Sequence, residues 1–325
     1  MTWTKPTLMT GLGTVTLLLA LGACAPLATL NALAATDRHT RVTDIAYGAL
    51  PRQRLDIYRP SGSAPAGGWP VVVFFYGGSW NSGERAQYGF VGAALASRGL
   101  LTLVADYRLY PEVRFPDFLA DSALALAWGL THAAEQGGNP QRVFVMGHSA
   151  GAYNAAMLAL DGRWLAGTGH TPRELAGFIG LAGPYDFLPM TNRDAQPVFF
   201  HPDYPPGTQP MAFASAAAPP SFLAAGSTDS LVNPERNTAA LAARLSAAGV
   251  AVSLHRYEHA NHVTLIGAFG VPLRWLAPVL DDVSNFVLDA PAAKPSAKPI
   301  YTASKSTSNS SVAFGGITPP APRVP

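Results

Sequence analysis

The stretch Val143-Phe144-Val145-Met146-Gly147-His148-Ser149-Ala150-Gly151 decides how this chain is read. Four consecutive apolar residues suit a strand covered on both faces. A Gly-x-Ser-x-Gly turn follows, and then an alanine-rich helical pattern over Ala150–Leu160. In that strand–turn–helix setting the serine is forced into a tight turn with its hydroxyl raised above the sheet, and the glycines two positions to either side avoid steric collision. The N-terminus of the following helix adds a positive dipole under any oxyanion that develops there. Ser149 is the candidate nucleophile.

Working outward, strand-length apolar runs alternate with helix-length segments. Val42–Tyr47 and Arg54–Arg59 read as an antiparallel opening pair. Val71–Tyr76, Leu101–Ala105, Val143–Met146, Gly177–Leu181, Phe222–Ala225 and Val252–Tyr257 read as the remaining strands. Helical patterns fall over Gln87–Arg98, Phe118–Glu135, Ala150–Leu160, Glu235–Ala248 and Leu276–Leu288. Strand then helix, repeated, predicts a wound α/β sheet with its chemistry beyond the carboxyl ends of the strands.

A serine hydroxyl needs a base within hydrogen-bonding reach, and that base needs an acid to hold its tautomer. The order expected in this fold class is Ser, then acid, then His. Asp229 lies just past Phe222–Ala225 in Gly226-Ser227-Thr228-Asp229, and it is preferred over Asp186, which follows an earlier strand in Gly183-Pro184-Tyr185-Asp186. The last strand leads into Glu258-His259-Ala260-Asn261-His262, where His262 is preferred over His259 because it lies deepest in the loop and precedes an apolar helical start. A metal bound by this His-x-x-His lacks an accompanying carboxylate or cysteine set. Asp106, Glu112 and Asp121 are read as structural, paired with Arg108 and Arg114 or capping helices. Because a histidine base must be neutral, the rate should fall on acidification.

An oxyanion needs preorganised N–H donors. Ala150, directly after the nucleophile, supplies one. Gly78 and Ser79 supply the others from the loop Tyr76-Gly77-Gly78-Ser79-Trp80, where glycine lets the backbone turn its amides inward. A phosphate-cradling loop would carry a lysine, and this one has none.

Taken in order, Tyr76-Gly77-Gly78-Ser79-Trp80, Asp106-Tyr107-Arg108-Leu109 with Pro111-Glu112 and Phe115-Pro116, Gly147-His148-Ser149-Ala150-Gly151, Gly226-Ser227-Thr228-Asp229 and His262 resemble the α/β-hydrolase-fold carboxylesterases. The similarity is to the branch of hormone-sensitive-lipase-like esterases, kynurenine formamidases and bifunctional feruloyl/acetyl-xylan esterases, and it spans about Val42 to Leu288. It implies a mostly parallel sheet of about eight strands with helices on both faces, a triad of Ser149, Asp229 and His262, and backbone donors at Gly78, Ser79 and Ala150. It implies no cofactor and no metal. Tyr76 departs from the pattern, since such families open this loop with histidine; a tyrosine can still hydrogen-bond to order it. The proline-rich, aromatic insertion over residues 187–217 reads as a short lid or specificity wall, which favours small or aromatic acyl groups. An arylformamidase or peptidase would use the same groups, and a non-catalytic surface-binding protein could use the same scaffold.

Composition bounds the rest. With 325 residues, 48% hydrophobic and 13% charged, the chain is too apolar to be disordered throughout. Between Asp37 and Leu288 there are 17 arginines against 19 acids and no lysine, so no basic face for nucleic acid is expected. The single cysteine, Cys24, excludes a disulfide framework and thiolate-rich metal sites. It follows Lys5, an apolar run from Leu8 to Leu21, and the small residues Gly22 and Ala23. This arrangement resembles a signal peptide over 1–23 ending in a bacterial lipobox, which implies a lipidated Cys24 and a membrane-anchored envelope protein. The uncharged run from Pro6 to Thr36 also fits a retained anchor, and Ala34-Ala35 fits ordinary cleavage. Residues 24–40 read as a linker, 41–288 as the catalytic domain, and 289–325, rich in Pro, Ala, Ser and Lys, as a disordered tail. The oligomeric state is left open.

Overall fold

The computed structural model describes residues 26–34 and 38–293. The chain builds one eight-stranded sheet: β1 (His39–Ala46), β2 (Arg54–Pro60), β3 (Trp69–Phe75), β4 (Leu101–Ala105), β5 (Gly138–His148), β6 (Leu175–Leu181), β7 (Ser221–Gly226) and β8 (Val252–Tyr257), formed around the buried central strands β3, β4, β6 and β7. Their spatial order is β1-β2-β4-β3-β5-β6-β7-β8. β1 and β2 are antiparallel, as are β2 and β4, and all later neighbours run parallel. This is the α/β-hydrolase arrangement that the motifs imply.

Helices cover both faces because successive side chains of a central strand point to opposite sides. Val72 pairs with Phe144 and Val73 with Val145, so each pair marks one face. On the Val73 face, helix α3 (Asp117–His132) comes so close that a Cβ at Gly129 would lie 2.8 Å from Val73. On the other, Phe286 of the C-terminal helix (Val279–Asp289) meets Phe144 edge-on at 6.2 Å. Helix α2 (Gly89–Ser97) packs beside the C-terminal helix, and α4 (Ala150–Leu160) beside α3.

The reading of 24–40 as a linker is corrected over its described part. Pro26–Ala34 forms a helix, α1, and β1 starts at His39. Leu30 and Ala34 are buried against the body. Asn31 clamps α1 to the domain: its amide donates to the carbonyls of Ala86 and Gln87 at 3.0 and 2.9 Å, and its Oδ1 accepts from the Phe90 amide at 2.8 Å, satisfying a donor in the first turn of α2. At the other end the body runs past residue 288, since the Ala293 amide donates to Gln141 at 2.7 Å. The leader over 1–23, Cys24 and the tail from residue 294 lie outside the described residues.

The antiparallel entrance strands are tied to the parallel sheet by charge. Asp56 on β2 is buried, accepts from Arg41 at 2.6 Å and Arg85 at 2.9 Å, and takes the backbone amide of Asp44 at 2.9 Å. Burial alone would raise its carboxyl, but those donors hold it below its ordinary value. A carboxylate depressed in the folded state stabilises the protein above the unfolded pKa of ~3.9 and loses that contribution as pH falls through the lower native value. Asp56→Asn should destabilise by about 3 kcal/mol at pH 7. Urea midpoints of the two proteins should converge in strong acid, and a gap that stayed constant with pH would contradict this origin.

Candidate active site

The carboxyl ends of β3, β5, β7 and β8 gather the functional side chains. Phe75 at the end of β3 pairs with Gly147 near the end of β5, which sets the loop after β3 beside the Gly-His-Ser-Ala-Gly turn. That turn is pressed against its surroundings. A Cβ at Gly147 would lie 2.1 Å from the Gly151 carbonyl oxygen, and one at Gly151 would lie 2.0 Å from that of Phe75. Ser149 sits at φ 56°, ψ −122°, a strained backbone that aims its hydroxyl away from the sheet and into the site.

The base and acid arrive on neighbouring loops that are locked together. A Cβ at Gly226 would meet the Ala260 carbonyl oxygen at 2.2 Å, and the Thr228 hydroxyl donates to the same oxygen at 3.0 Å. His262 begins helix α7 (His262–Gly267; a short helix Arg163–Ala166 is α5, and Ala240–Ala247 is α6). Asn261 caps α7, accepting from the amides of Val263 and Thr264 at 3.0 and 2.9 Å, while Thr264 accepts from the Asn261 amide at 2.8 Å. The cap fixes the imidazole's direction.

The three side chains meet. The Ser149 hydroxyl and His262 Nε2 are 2.8 Å apart, and His262 Nδ1 is 2.8 Å from Asp229 Oδ2. Asp229 Oδ1 accepts from the amides of Leu231 and Val232, both at 2.9 Å. Burial pushes the Asp229 carboxyl up, but the imidazole and the two amides outweigh it and hold the group below its usual range. As a carboxylate it can only accept, so Nδ1 carries the proton and Nε2 is left free to take one from Ser149.

The rival residues lie elsewhere. Asp186 pairs with Arg236 through two contacts of 3.2 Å in the pocket wall, and His259 is exposed. Asp121 does pair with Arg108, but Asp106 accepts instead from Arg85 and Tyr76. Among the described residues, no group of three or more His, Cys, Asp or Glu is placed to hold a metal ion.

The loop after β3 is strained and buttressed. Gly78, Ser79 and Trp80 all have positive φ, at 132°, 50° and 58°. Tyr76 fills the position where histidine was expected and stacks between Tyr88 and Tyr107 at 5.2 and 5.0 Å. Its hydroxyl donates to Asp106 at 2.7 Å and accepts from Arg52 at 2.9 Å, and Tyr107 donates to its carbonyl at 2.8 Å. Arg52 also reaches the carbonyls of Tyr107 and Gly83, so one guanidinium holds both ends of the loop. The Trp80 indole donates to buried Asn154 at 3.0 Å, tying the loop to α4.

Ser79, Trp80, Ser149 and Ala150 line a cavity of about 240 Å³. Its far wall comes from the insertion, through Phe187, Pro189, Met190, Thr191, Asn192 and Ala195. This segment is packed down: Phe199 meets Trp80 edge-on at 4.8 Å, and Asn192 donates to the Ser79 hydroxyl at 3.1 Å. Ser230, Asn233, Arg236 and Asn237 supply a polar side.

Sequence reasoning passed over His148, read only as the variable residue of its motif. It is buried, its ring is 4.9 Å from that of His262, and its Nε2–H donates to the His262 carbonyl at 3.0 Å. Its Nδ1 is buried without a partner. Burial, with the nearby His262 second, lowers this imidazole to a pKa of about 3.

Comparison with known proteins agrees with the geometry. The model of the BD-FAE family matches residues 55–245. The probable carboxylic ester hydrolase LipM of Mycobacterium tuberculosis is 32% identical over 207 residues, 58% of this chain and 48% of that protein. The probable isoprenylcysteine alpha-carbonyl methylesterase ICMEL1 of Arabidopsis thaliana is 33% identical over 154 residues, 46% of this chain and 32% of that protein. The chain thus spans about a third to a half of the length of these relatives. Among solved structures, the apo form of Thermogutta terrifontis esterase 2 superposes with a TM-score of 0.64 at 25% identity, covering 78% of this chain and 96% of that one. A truncated carbohydrate esterase from gut microbiota, at 18% identity and a TM-score of 0.64, shares the fold and covers 78% of this chain and 97% of that one.

His148 makes a measurable prediction. An imidazole held neutral in the fold binds its proton only after unfolding, so stability should fall from the unfolded pKa of ~6.5 down to about pH 3, by up to ~1.4 kcal/mol per pH unit. His148→Asn should flatten that slope by close to one proton in denaturant titrations. An unchanged slope would show that His148 does not carry it.

Proposed function

The chain belongs to the BD-FAE family, and on that premise we propose that it is a serine carboxylesterase acting on esters of small or aromatic acyl groups. One observation carries the reading: an unbroken relay of 2.8 Å contacts from the Ser149 hydroxyl through His262 to Asp229, opening into a cavity beside Ser79 and Ala150. Ser149 gives its proton to His262 and attacks the ester carbonyl. Negative charge develops on the carbonyl oxygen, toward the backbone amides of Gly78, Ser79 and Ala150 and the N-terminus of α4. His262 then protonates the departing alcohol, and the same steps with water release the acid from the acyl-enzyme. Asp229 stabilises the imidazolium at each stage. The cavity is small and the insertion is fastened over it, which supports short or planar acyl groups over long lipid chains.

Ser149→Ala should abolish turnover of short p-nitrophenyl esters and their burst of product. Asp229→Asn should lower kcat about ten-thousandfold with little change in KM, because an amide presents the wrong hydrogen-bonding group to Nδ1. Equal rates in wild type and Ser149→Ala would end the esterase reading. A panel pairing esters with aryl formamides of the same acyl group tests the arylformamidase or peptidase alternative, which predicts the higher kcat/KM on the amide side.

We further propose an exported, envelope-bound protein held at a membrane by a lipidated Cys24. Leu21-Gly22-Ala23-Cys24 supports this, as does the clamping of α1: cleavage near Ala34-Ala35 would strip away Leu30 and Asn31 together with their contacts. Cys24→Ala should abolish incorporation of radiolabelled palmitate in a bacterial host. Undiminished labelling of that variant would place the lipid elsewhere or remove it from the account.

A further inference from the structure

Large apolar side chains are left in water unevenly over the described surface. Trp275, 78% exposed, stands out most, and Val263 and Val271 are 60% and 40% exposed. Val263 lies on α7, and Val271 and Trp275 lie on the 3₁₀ turn Val271–Leu276, which packs on α7. The polar atom of Trp275 is already occupied, since its indole N–H donates to the Pro272 carbonyl at 3.1 Å. What the ring turns outward is its apolar face. Pro272 is exposed beside it.

The same turn is fixed to the first helix of the fold. α1 packs against it, and a Cβ at Gly270 would lie 2.6 Å from Leu30. The 25 residues ahead of α1 carry an apolar run from Leu8 to Leu21 and no charge between Pro6 and Pro26. Chain length limits how far apart run and helix can be. At no more than ~3.6 Å per residue, the five steps from Leu21 to Pro26 span at most about 18 Å, and the two steps from Cys24 at most about 7 Å. The headgroup zone on one side of a bilayer is itself roughly 5–8 Å thick.

We propose that Val263, Val271, Pro272 and Trp275 form a membrane seat, with Trp275 inserted at the boundary between headgroups and acyl chains. The occupant is a lipid surface, because the fold's N-terminus is tethered to one by a segment too short to keep this face away from it. The proposal rests on the reading that the N-terminal run or its cysteine holds the chain at a membrane. An indole favours that boundary, where its ring leaves water while its edge stays near polar groups. A tether alone lets the domain swing; a second contact sets its orientation. Val263 follows His262 directly, and Leu231, 70% exposed, lines the pocket just after Asp229. The seat therefore borders the site, and an ester lodged in the bilayer surface has a short path to Ser149.

Tryptophan quenching tests this with the full chain reconstituted in phosphatidylethanolamine–phosphatidylglycerol vesicles carrying lipids brominated high on the acyl chain. The chain has six tryptophans, one of them Trp3 in the leader, so the comparison is made in a Trp3→Phe background. The bromine-quenchable emission should fall at least threefold when Trp275→Phe is added, while hydrolysis of a water-soluble ester stays unchanged. Chain that pellets with the vesicles but shows the same quenching with and without Trp275 overturns the seat and leaves the tether standing. Chain that does not pellet overturns both. A dimer in mild detergent that Trp275→Asp converts to monomer also overturns the proposal, because a second copy would then cover the ring.

Discussion

The backbone of the turn after β5 is pressed against itself and against the end of β3, and the rest of the site inherits its geometry from that contact. Side chains at Gly147 or Gly151 would collide with main-chain oxygens within about 2 Å, so nothing can relax around them. Two results follow from one approach. Ser149 is held in a conformation it would not adopt by itself, and the loop after β3 is brought beside its hydroxyl. The serine hydroxyl and the loop after β3 thus share a mechanical origin, although more than sixty residues separate them.

Charge does the corresponding work on the opposite flank. Arg85 contacts Asp44, Asp56 and Asp106 at once, joining the antiparallel entrance strands to the end of β4. Asp106 passes the constraint to Tyr76 through its hydroxyl, and Tyr76 opens the strained loop. Breaking one partner in such a cluster leaves others buried without compensation, which makes it far stiffer than a set of surface ion pairs. The tyrosine substitutes for a histidine by being stacked on both faces and bonded at both polar ends.

Much of this could be read before any coordinates. Continuous apolar strands, the Gly-x-Ser-x-Gly turn and the order of Ser149, Asp229 and His262 are local patterns with steric or chemical causes, so they survive translation into three dimensions. Other features depended on distant partners and were illegible. Asp106 reads as a partner of neighbouring arginines, yet its partner Arg85 comes from a 3₁₀ turn twenty-one residues earlier that packs against β4. Residues 24–40 read as a linker because they lie between the apolar leader pattern and the first strand pattern; what makes α1 a helix of the body is burial of Leu30 and the bonds of Asn31. His148 gave no signal because a motif position open to any residue does not reveal what lies across from it.

Asn31 satisfies two carbonyls and one amide that belong to another part of the molecule, so the first helix completes the packing of the second. The folded unit therefore reaches at least as far forward as Pro26, ten or more residues ahead of the first strand. A shortened version beginning at β1 would retain every residue of the relay and still present a bare groove over Gly270, with the start of α2 uncapped. Any cut within or after α1 removes a structural part of the body, because Leu30 and Asn31 go with it.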